Sequence, residues 1–129
     1  MAQVKIYGHR HQLEAIQQRL SDVLHACIVK TLQYPVDKRF HRFIKLDKGD
    51  FYYAEGRSEK YTIIEISMFE GRSIEAKKAL IHSIFEQFET KLNILPIDVE
   101  ITITETPRHN WGIRGKTGDE LGLNYKVNI

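Results

Sequence analysis

The stretch YTIIEISMFEGRS, residues 61–73, contains the strand-to-helix transition that decides the fold of this protein. Residues 61–69 are rich in β-branched and aromatic side chains, which are typical of a β-strand. Residues 70–73 include a glycine and predict a turn. Ser73 has the side chain of a helix N-cap, and Glu75 favours the first turn because its charge complements the helix dipole. The stretch therefore predicts a strand that leads directly into a helix.

A helix and a further strand are expected after this turn. Proline at position 96 cannot continue a helix, because its ring and its missing N–H disrupt the helical hydrogen bonds. Val99, Ile101 and Ile103 then alternate with polar residues, which is the period of a half-buried strand. The apolar residues between the turn and the proline recur at helical spacing: Ile74, Leu80, Ile81, Ile84, Phe85, Phe88 and Leu92.

The first half of the chain repeats this pattern. Val4 and Ile6 alternate with polar residues in a short strand that Gly8 ends. Pro35 ends the following helix, and RFHRFIKL, residues 39–46, predicts the second strand. Each half thus has a strand, a glycine turn, a helix and a proline stop, which indicates an internal duplication. The apolar stripe of the first helix consists of Leu13, Ile16, Leu20, Val23, Leu24, Cys27, Ile28 and Leu32.

The sequence therefore predicts an α+β fold of two duplicated βαβ units. The units form a four-stranded mixed sheet with two helices on one face, and each unit is a right-handed crossover between parallel strands. The whole chain, 1–129, is expected to be a single domain, with the first unit and its loop at 1–58 and the second unit and tail at 59–129. Alternating apolar residues predict a short C-terminal strand at Leu123, Tyr125, Val127 and Ile129.

The second face of this sheet requires solvent or another subunit, because two helices can cover only one face. The apolar residues of two strands indicate that one strand pair is apolar on both faces. Oligomerisation with closed symmetry would bury such a surface. The residues concerned are Val4, Ile6, Ile64 and Ile66.

Composition and charge exclude several functional classes. The formal net charge is only +2, a poor footprint for a nucleic-acid binder, so no nucleic-acid partner is predicted. No apolar run approaches the roughly 20 residues of a membrane span, so no membrane partner is predicted either. The N-terminus lacks a signal-peptide pattern, and the single cysteine, Cys27, suits a reducing compartment. We therefore expect a cytoplasmic protein.

No motif for a metal or a cofactor stands out, and neither is predicted. The six histidines show no HxxxH spacing, and no CxxC pair is present. His9 and His11 in GHRH, residues 8–11, are more typical of a solvated loop than of a metal site. The glycine-rich segment GIRGKTGDE, residues 112–120, does not follow a strand-to-helix turn and is a weak candidate for a nucleotide-binding loop.

Several segments, taken in order, resemble the tautomerase superfamily, the group of 4-oxalocrotonate tautomerase and malonate semialdehyde decarboxylase. Their order and spacing are most similar to those of the longer, fused members, which have two βαβ units in each chain. The resemblance implies a homotrimer of fused units. The segments are the N-terminal strand, YPVDKRF at 34–40, IIEISMFEGRS at 63–73, LPIDVEITITETPRHNW at 95–111 and NWGIRG at 110–115.

The resemblance also implies an active site built on the N-terminal amine, without a cofactor. In this superfamily a proline becomes the first residue when the initiator methionine is removed, and its amine acts as a base. Desolvation and nearby cations lower the pKa of such an amine, so that it is neutral near pH 7, where a base is most useful. Arginines then hold the carboxylate of a small substrate with their planar forks.

Five residues of this chain are candidates for that site besides the amine. Arg39 matches the arginine after the first helix, and Arg72 matches the arginine of the second turn; both are predicted to be catalytic. Trp111 matches the tryptophan of the C-terminal segment and, with Arg42 and Arg108, is predicted to bind substrate. Each also has a structural explanation, since Arg72 could cap carbonyl groups and Trp111 could pack at a subunit contact.

The catalytic proline is not matched, because Ala2 occupies its position. If Met1 is removed, the primary amine of Ala2 is the predicted base. If Met1 stays, the chain extends into the expected pocket and the amine is out of register. A third alternative is another base, such as Asp37.

These alternatives lead to two functional hypotheses. The first is an isomerase-like pocket for small 2-oxo or enol carboxylates, with weak or altered activity because Ala2 replaces the proline. The second is a non-catalytic trimeric module that binds a small anion or a protein partner, which a retained Met1 favours.

Overall fold

A computed structural model describes the whole chain, residues 1–129, and its first unit has the predicted β-α-β order. Strand β1 spans Ala2–His9, helix α1 spans Arg10–Leu32 and strand β2 spans His41–Leu46. The helix begins directly after the strand. His9 and His11 therefore lie at a strand end and in a helix, and the expected solvated loop is wrong.

The second unit repeats this order. Strand β3 spans Thr62–Phe69, helix α2 spans Ile74–Leu92 and strand β4 spans Val99–Thr106. Ser73 is the N-cap of α2, as predicted, and its hydroxyl accepts a hydrogen bond of 3.1 Å from the backbone N–H of Ala76. This bond satisfies one of the amide groups that a helix start leaves unpaired.

The four strands form one mixed sheet in the order β2-β1-β3-β4, which confirms the predicted fold class. Each unit contributes a parallel pair, and β1 and β3 join the two units in antiparallel orientation. Ala2 is therefore paired with Met68 near the end of β3, and Gly8 is paired with Thr62 at its start. This pairing brings the N-terminus of the chain beside the turn that leads into α2.

Both helices pack on one face of the sheet, and the apolar core lies between the helices and the sheet. Val4 pairs with Ile66 and Ile6 pairs with Ile64, and all four side chains are at most 1% exposed in that core. The expected strand pair with two apolar faces is therefore wrong, because a period of two places all four side chains on one side. Polar residues occupy much of the other face, including Gln3, Lys5, Tyr7, Glu65 and Thr102.

The predicted C-terminal strand at residues 123–129 is not formed. A short hairpin precedes this segment instead, with strand β5 at Gly112–Ile113 and strand β6 at Lys116–Thr117. Tyr125 and Ile129 pack against the core, and Val127 is 8% exposed. The alternation thus reflects a tail with bends at residues 124, 125 and 127, which at least partly buries alternate side chains without a neighbouring strand. Neither helix combines the length and the apolar character that a membrane crossing requires.

Candidate functional site

The first two residues are held at the end of the sheet where β1 starts and β3 ends. The amine of Met1 donates a hydrogen bond of 2.5 Å to the hydroxyl of Tyr125, and its carbonyl accepts one of 3.4 Å from the N–H of Phe69. The N–H of Ala2 donates to the hydroxyl of Tyr34 at 3.1 Å, and Ala2 is only 3% exposed. Two tyrosines from distant parts of the sequence therefore position the N-terminus.

This environment lowers the pKa of the Met1 amine from its usual 8.0 to about 5. Burial is the largest cause, because loss of solvent disfavours the charged form. The positive charges of Arg72, Lys38 and Arg108 lower the pKa further. The amine is therefore neutral at pH 7, which is the form that accepts a proton.

Arg72 contributes a buried guanidinium to the same end of the sheet. The residue is 4% exposed, and one of its terminal nitrogens donates to the carbonyl of Phe69 at 3.2 Å. Its Nε and its other terminal nitrogen have no hydrogen-bond partner. Burial lowers the pKa of this guanidinium, an effect opposed chiefly by Tyr125 and Tyr34. Unpaired buried N–H groups are costly, and a carboxylate is the ligand that suits them.

Two further cations lie near the amine, but they are bound differently. Arg108 donates to the carbonyl oxygens of Gly118 and Leu121 at 3.0–3.2 Å and lies over the ring of Phe69. Its donors therefore hold the C-terminal loop in place. The ammonium of Lys38 lies 5.3 Å from the ring centroid of Tyr125, and no hydrogen bond or ion pair holds it.

Met1 itself lines the pocket beside its amine. The cavity that remains has a volume of only about 10 Å³, which is room for about one water molecule. Six of its eight lining residues are hydrophobic. The lining consists of Met1, Lys38, Phe69, Ile113, Arg114, Leu121, Leu123 and Tyr125.

Trp111 lies behind this pocket. Its ring packs edge-on against the ring of Phe69, with centroids 5.3 Å apart. Its indole N–H donates to the hydroxyl of Thr106 at 2.7 Å. Trp111 thus positions a lining residue and does not itself line the cavity around Met1.

Two of the predicted arginines do not reach this pocket within one chain. Arg39 donates to the carboxylate of Asp22 at 2.6 Å and to the hydroxyl of Ser21 at 3.3 Å, in a separate surface cavity beside α1. Arg42 donates to the side-chain oxygen of Gln3 at 3.1 Å. The structure thus brings together the N-terminus, Arg72 and Arg108 but leaves these two arginines elsewhere.

Sequence reasoning missed three side chains that surround the amine. Tyr34 stands directly before the proline that ends α1, and Tyr125 belongs to the alternation that predicted a strand. Lys38 precedes Arg39 in the segment that resembles the superfamily, and the lysine, not the arginine, lies beside Tyr125. Their positions depend on how the tail returns to the start of β1, which no local pattern encodes.

The sheet consists of two duplicated βαβ units, and a desolvated amine lies at the start of its first strand. Together these features define a class of proteins whose candidate site is built on the N-terminus. A family model described as "Tautomerase enzyme" matches residues 38–114, which is more than half of the chain. The chain belongs to the tautomerase family, and the resemblance that the sequence indicated is confirmed.

One relative is similar over most of the chain, and another is similar over about half of it. The probable tautomerase YusQ of Bacillus subtilis (strain 168) is 25% identical over 113 residues, which cover 84% of this chain and 89% of the relative. A 2-hydroxymuconate tautomerase of Comamonas testosteroni is 38% identical over 58 residues, which cover 45% of this chain and 92% of the relative. The second relative thus has about the length of a single βαβ unit of this chain.

Solved structures share the whole fold. A malonate semialdehyde decarboxylase inhibited by 3-bromopropiolate has a TM-score of 0.81 at 24% identity, over 94% of this chain and 98% of that one. A native fused 4-OT has a TM-score of 0.79 at 21% identity, over 94% and 99%. At these identities the comparison establishes the fold and leaves the chemistry to be argued from the residues.

Proposed function

We propose that this protein is an isomerase for small 2-oxo or enol carboxylates, with the amine of Ala2 as its base once Met1 is removed. The observation that carries the proposal is the desolvated environment at the start of β1, where Ala2 is 3% exposed and the amine of the preceding Met1 has a pKa lowered to about 5. The same end of the sheet contains the unpaired N–H groups of Arg72. A neutral base and a carboxylate-binding group are the two components that this reaction requires.

In the proposed reaction, one proton moves between the enol oxygen, which is on C2 of the substrate, and the adjacent carbon C3. The neutral amine of Ala2 takes the proton from one atom and returns it to the other. Arg72 holds the substrate carboxylate, while Lys38 and Arg108 add positive charge that stabilises the enolate formed on the way. The amine is neutral again at the end, so the cycle balances without a cofactor.

We expect weaker catalysis from Ala2 than from a proline. The primary amine of an alanine rotates about its bond to Cα, whereas a proline ring holds its nitrogen in one orientation. Orientation of the reacting groups is a large part of enzymatic rate enhancement. Ala2 keeps the base and loses part of its preorganisation.

The proposal includes a homotrimer in the cytoplasm. Structural neighbours include fused 4-OT proteins described as symmetric and asymmetric trimers. The face of the sheet opposite the helices is available for such an assembly. Arg39 and Arg42, which lie away from the pocket of their own chain, would serve catalysis only at the pocket of a neighbouring subunit.

The test begins with two forms of the protein, verified by intact mass. One retains Met1, and the other starts at Ala2 after proteolytic removal of a tag placed directly before it. Ketonisation of a panel of enols and unsaturated acids, phenylenolpyruvate among them, is measured for both. We expect turnover only from the form that starts at Ala2, and a rise of about tenfold or more for Ala2→Pro in that form.

Three arginine variants locate the binding group. Arg72→Met should abolish turnover, while Arg57→Met, which removes a guanidinium paired with Glu100, should not. Arg39→Ala lowers the rate only if the pocket is shared between subunits. Silence of the Ala2 form across the panel would refute the isomerase proposal and favour the non-catalytic binding module.

A further inference from the structure

Met1 lines the pocket, so its removal would open a space whose shape indicates the molecule that could replace it. We infer that the pocket, once Met1 leaves, takes a 2-oxo monocarboxylate with an unbranched apolar tail of about four atoms, in preference to a dicarboxylate. This inference rests on the proposed function, whose substrate class it narrows. Its basis is the environment of each part of Met1.

Each group of Met1 has a counterpart in such a ligand. The Met1 carbonyl, which accepts from the N–H of Phe69, occupies the place of the ligand carboxylate. The Met1 nitrogen, bonded to the hydroxyl of Tyr125, occupies the place of the 2-oxo or enol oxygen. A tyrosine hydroxyl can donate as well as accept, so it can pair with either atom. The methionine side chain occupies the place of the tail.

The polar and apolar ends of the pocket differ in charge. Lys38 lies 5.3 Å from the ring centroid of Tyr125, whose hydroxyl binds the amine. Arg72 donates to the carbonyl of Phe69, whose N–H binds the Met1 carbonyl. Both cations therefore lie at the end where the carboxylate would bind. The cavity that Met1 lines is bounded by the apolar residues Phe69, Ile113 and two leucines at 121 and 123, which we assign to the tail. A second carboxylate at that end would lose water without gaining a buried donor, which is unfavourable. Arg114 also lines the pocket, but it is solvent-exposed and its charge is therefore screened.

The size of the pocket limits the tail. With Met1 in place only about 10 Å³ of cavity remains. Branched or longer tails would need the surrounding loop to move, and overpacked sites are destabilised. 2-Oxohexanoate has a tail of the same length as the methionine side chain, and 2-oxoadipate has the same carbon skeleton with a terminal carboxylate.

The test measures binding and turnover separately on the full chain that starts at Ala2. Trp111 is the only tryptophan and packs on Phe69, so its fluorescence reports on the pocket. We expect the dissociation constant of 2-oxohexanoate to be at least about tenfold lower than that of 2-oxoadipate, a difference of about 1.4 kcal/mol. 4-Methyl-2-oxopentanoate should bind more weakly than 2-oxohexanoate, and the form with Met1 should bind none of the three.

A matched pair of variants locates the tail. Leu123→Lys places a cation at the apolar end and should reduce or reverse the preference for 2-oxohexanoate. Leu95→Lys adds the same charge at a half-exposed leucine before β4, at the other end of the sheet, and should leave the preference unchanged. Equal effects of both substitutions would overturn the assignment of the tail.

The outcomes separate this inference from the proposed function. Turnover of enols with equal or tighter binding of 2-oxoadipate overturns the ligand class and leaves the isomerase standing. The ligand class is also overturned, and the isomerase again stands, if the protein prefers 2-oxoadipate and Arg114→Met abolishes that preference. Selective binding of 2-oxohexanoate without turnover of its enol supports the ligand class and refutes the isomerase. Binding to the form with Met1 would place the ligand elsewhere and overturn the inference.

Discussion

The amine of Met1 lies 2.5 Å from the hydroxyl oxygen of Tyr125, which belongs to the C-terminal tail. The tail therefore closes over the start of β1, and both ends of the chain contribute to one pocket. Arg108 stabilises this arrangement by binding the carbonyl groups of the loop that leads into the tail. The site depends on this closure as much as on the strands beneath it.

The first prediction concerns the protonation of the Met1 amine. In the form that retains Met1, pH-dependent acylation of the amine should have its midpoint near pH 5, because burial and cations lower its pKa to about 5. A midpoint near 8 would mean that the amine is in solvent. Tyr125→Phe should keep the low midpoint, since burial is the largest cause.

The same pKa predicts how the stability of this form depends on pH. The pKa is lower in the folded state, so its contribution to stability is complete above pH 8 and is lost as the pH falls towards 5. We expect the free energy of unfolding to decrease by about 1–2 kcal/mol between pH 8 and pH 5 because of this group, after allowance for solvent screening. Urea unfolding at several pH values measures it. The form that starts at Ala2 is the comparison.

The second prediction separates binding from stability at Arg72. Removal of a buried guanidinium with two unpaired nitrogens should leave the free energy of unfolding unchanged or raise it by about 1 kcal/mol in Arg72→Met. Turnover and carboxylate binding should be lost in the same variant. Urea unfolding and ligand titration measure the two effects. A large loss of stability would instead identify Arg72 as a structural cap of the Phe69 carbonyl.

The third prediction concerns the loop that Arg108 holds. A Cβ atom at Gly118 would overlap the backbone carbonyl oxygen of Arg108, so Gly118→Ala should cost about 1–3 kcal/mol of stability and lower the activity. Gly112→Ala is the matched control, because a Cβ there meets no atom within 4 Å. Thermal unfolding and turnover of both variants test this. Similar behaviour of the two variants would show that the loop is not tightly packed.

The fourth prediction concerns His41, away from the pocket. Burial, with smaller effects of His25 and Arg39, lowers the pKa of His41 from 6.5 to about 4. Its stabilising contribution is therefore present above pH 6.5 and is lost as the pH falls through 4. Over this interval the free energy of unfolding of His41→Gln should fall by about 1 kcal/mol less than that of the wild type, after allowance for screening.

The control for His41 is a histidine on the surface of α2. His82→Gln should leave the acid profile of the wild type unchanged, because His82 is exposed. At pH 8, His41→Gln should be less stable by about 1 kcal/mol, because the ring nitrogen lies 2.9 Å from the hydroxyl of Ser21 and that bond is altered. Parallel acid profiles for all three proteins would contradict the assignment.

Most of the fold could be predicted because its signals are local. A period of two in β1 and β3, a helical stripe in α1 and α2, and the cap at Ser73 each involve residues close in sequence. The tail could not be predicted in this way. Its alternation matches a strand, but whether an extended segment finds a neighbouring strand depends on which edges the rest of the fold leaves available.

In the candidate site, too, some residues were indicated by the sequence and others depend on tertiary packing. Arg72 was chosen because its turn matches a segment of the superfamily, whereas Tyr34, Lys38 and Tyr125 come close to the N-terminus only through tertiary packing. Arg39 carries the sequence match, yet its side chain pairs with Asp22 and turns away from the amine. Side-chain direction is set by the partner within reach, and sequence similarity does not specify that partner.

By itself, the sequence determined the two βαβ units, the cap of α2 at Ser73 and the absence of a proline at position 2. Those features follow from periodicity and residue identity, which local sterics translate directly into structure. Only the tertiary structure decided that Met1 lines the candidate pocket and that its amine loses the charge it would carry in water. Desolvation and the field of distant cations exist only after the chain ends have met, because both depend on the folded surroundings of the amine.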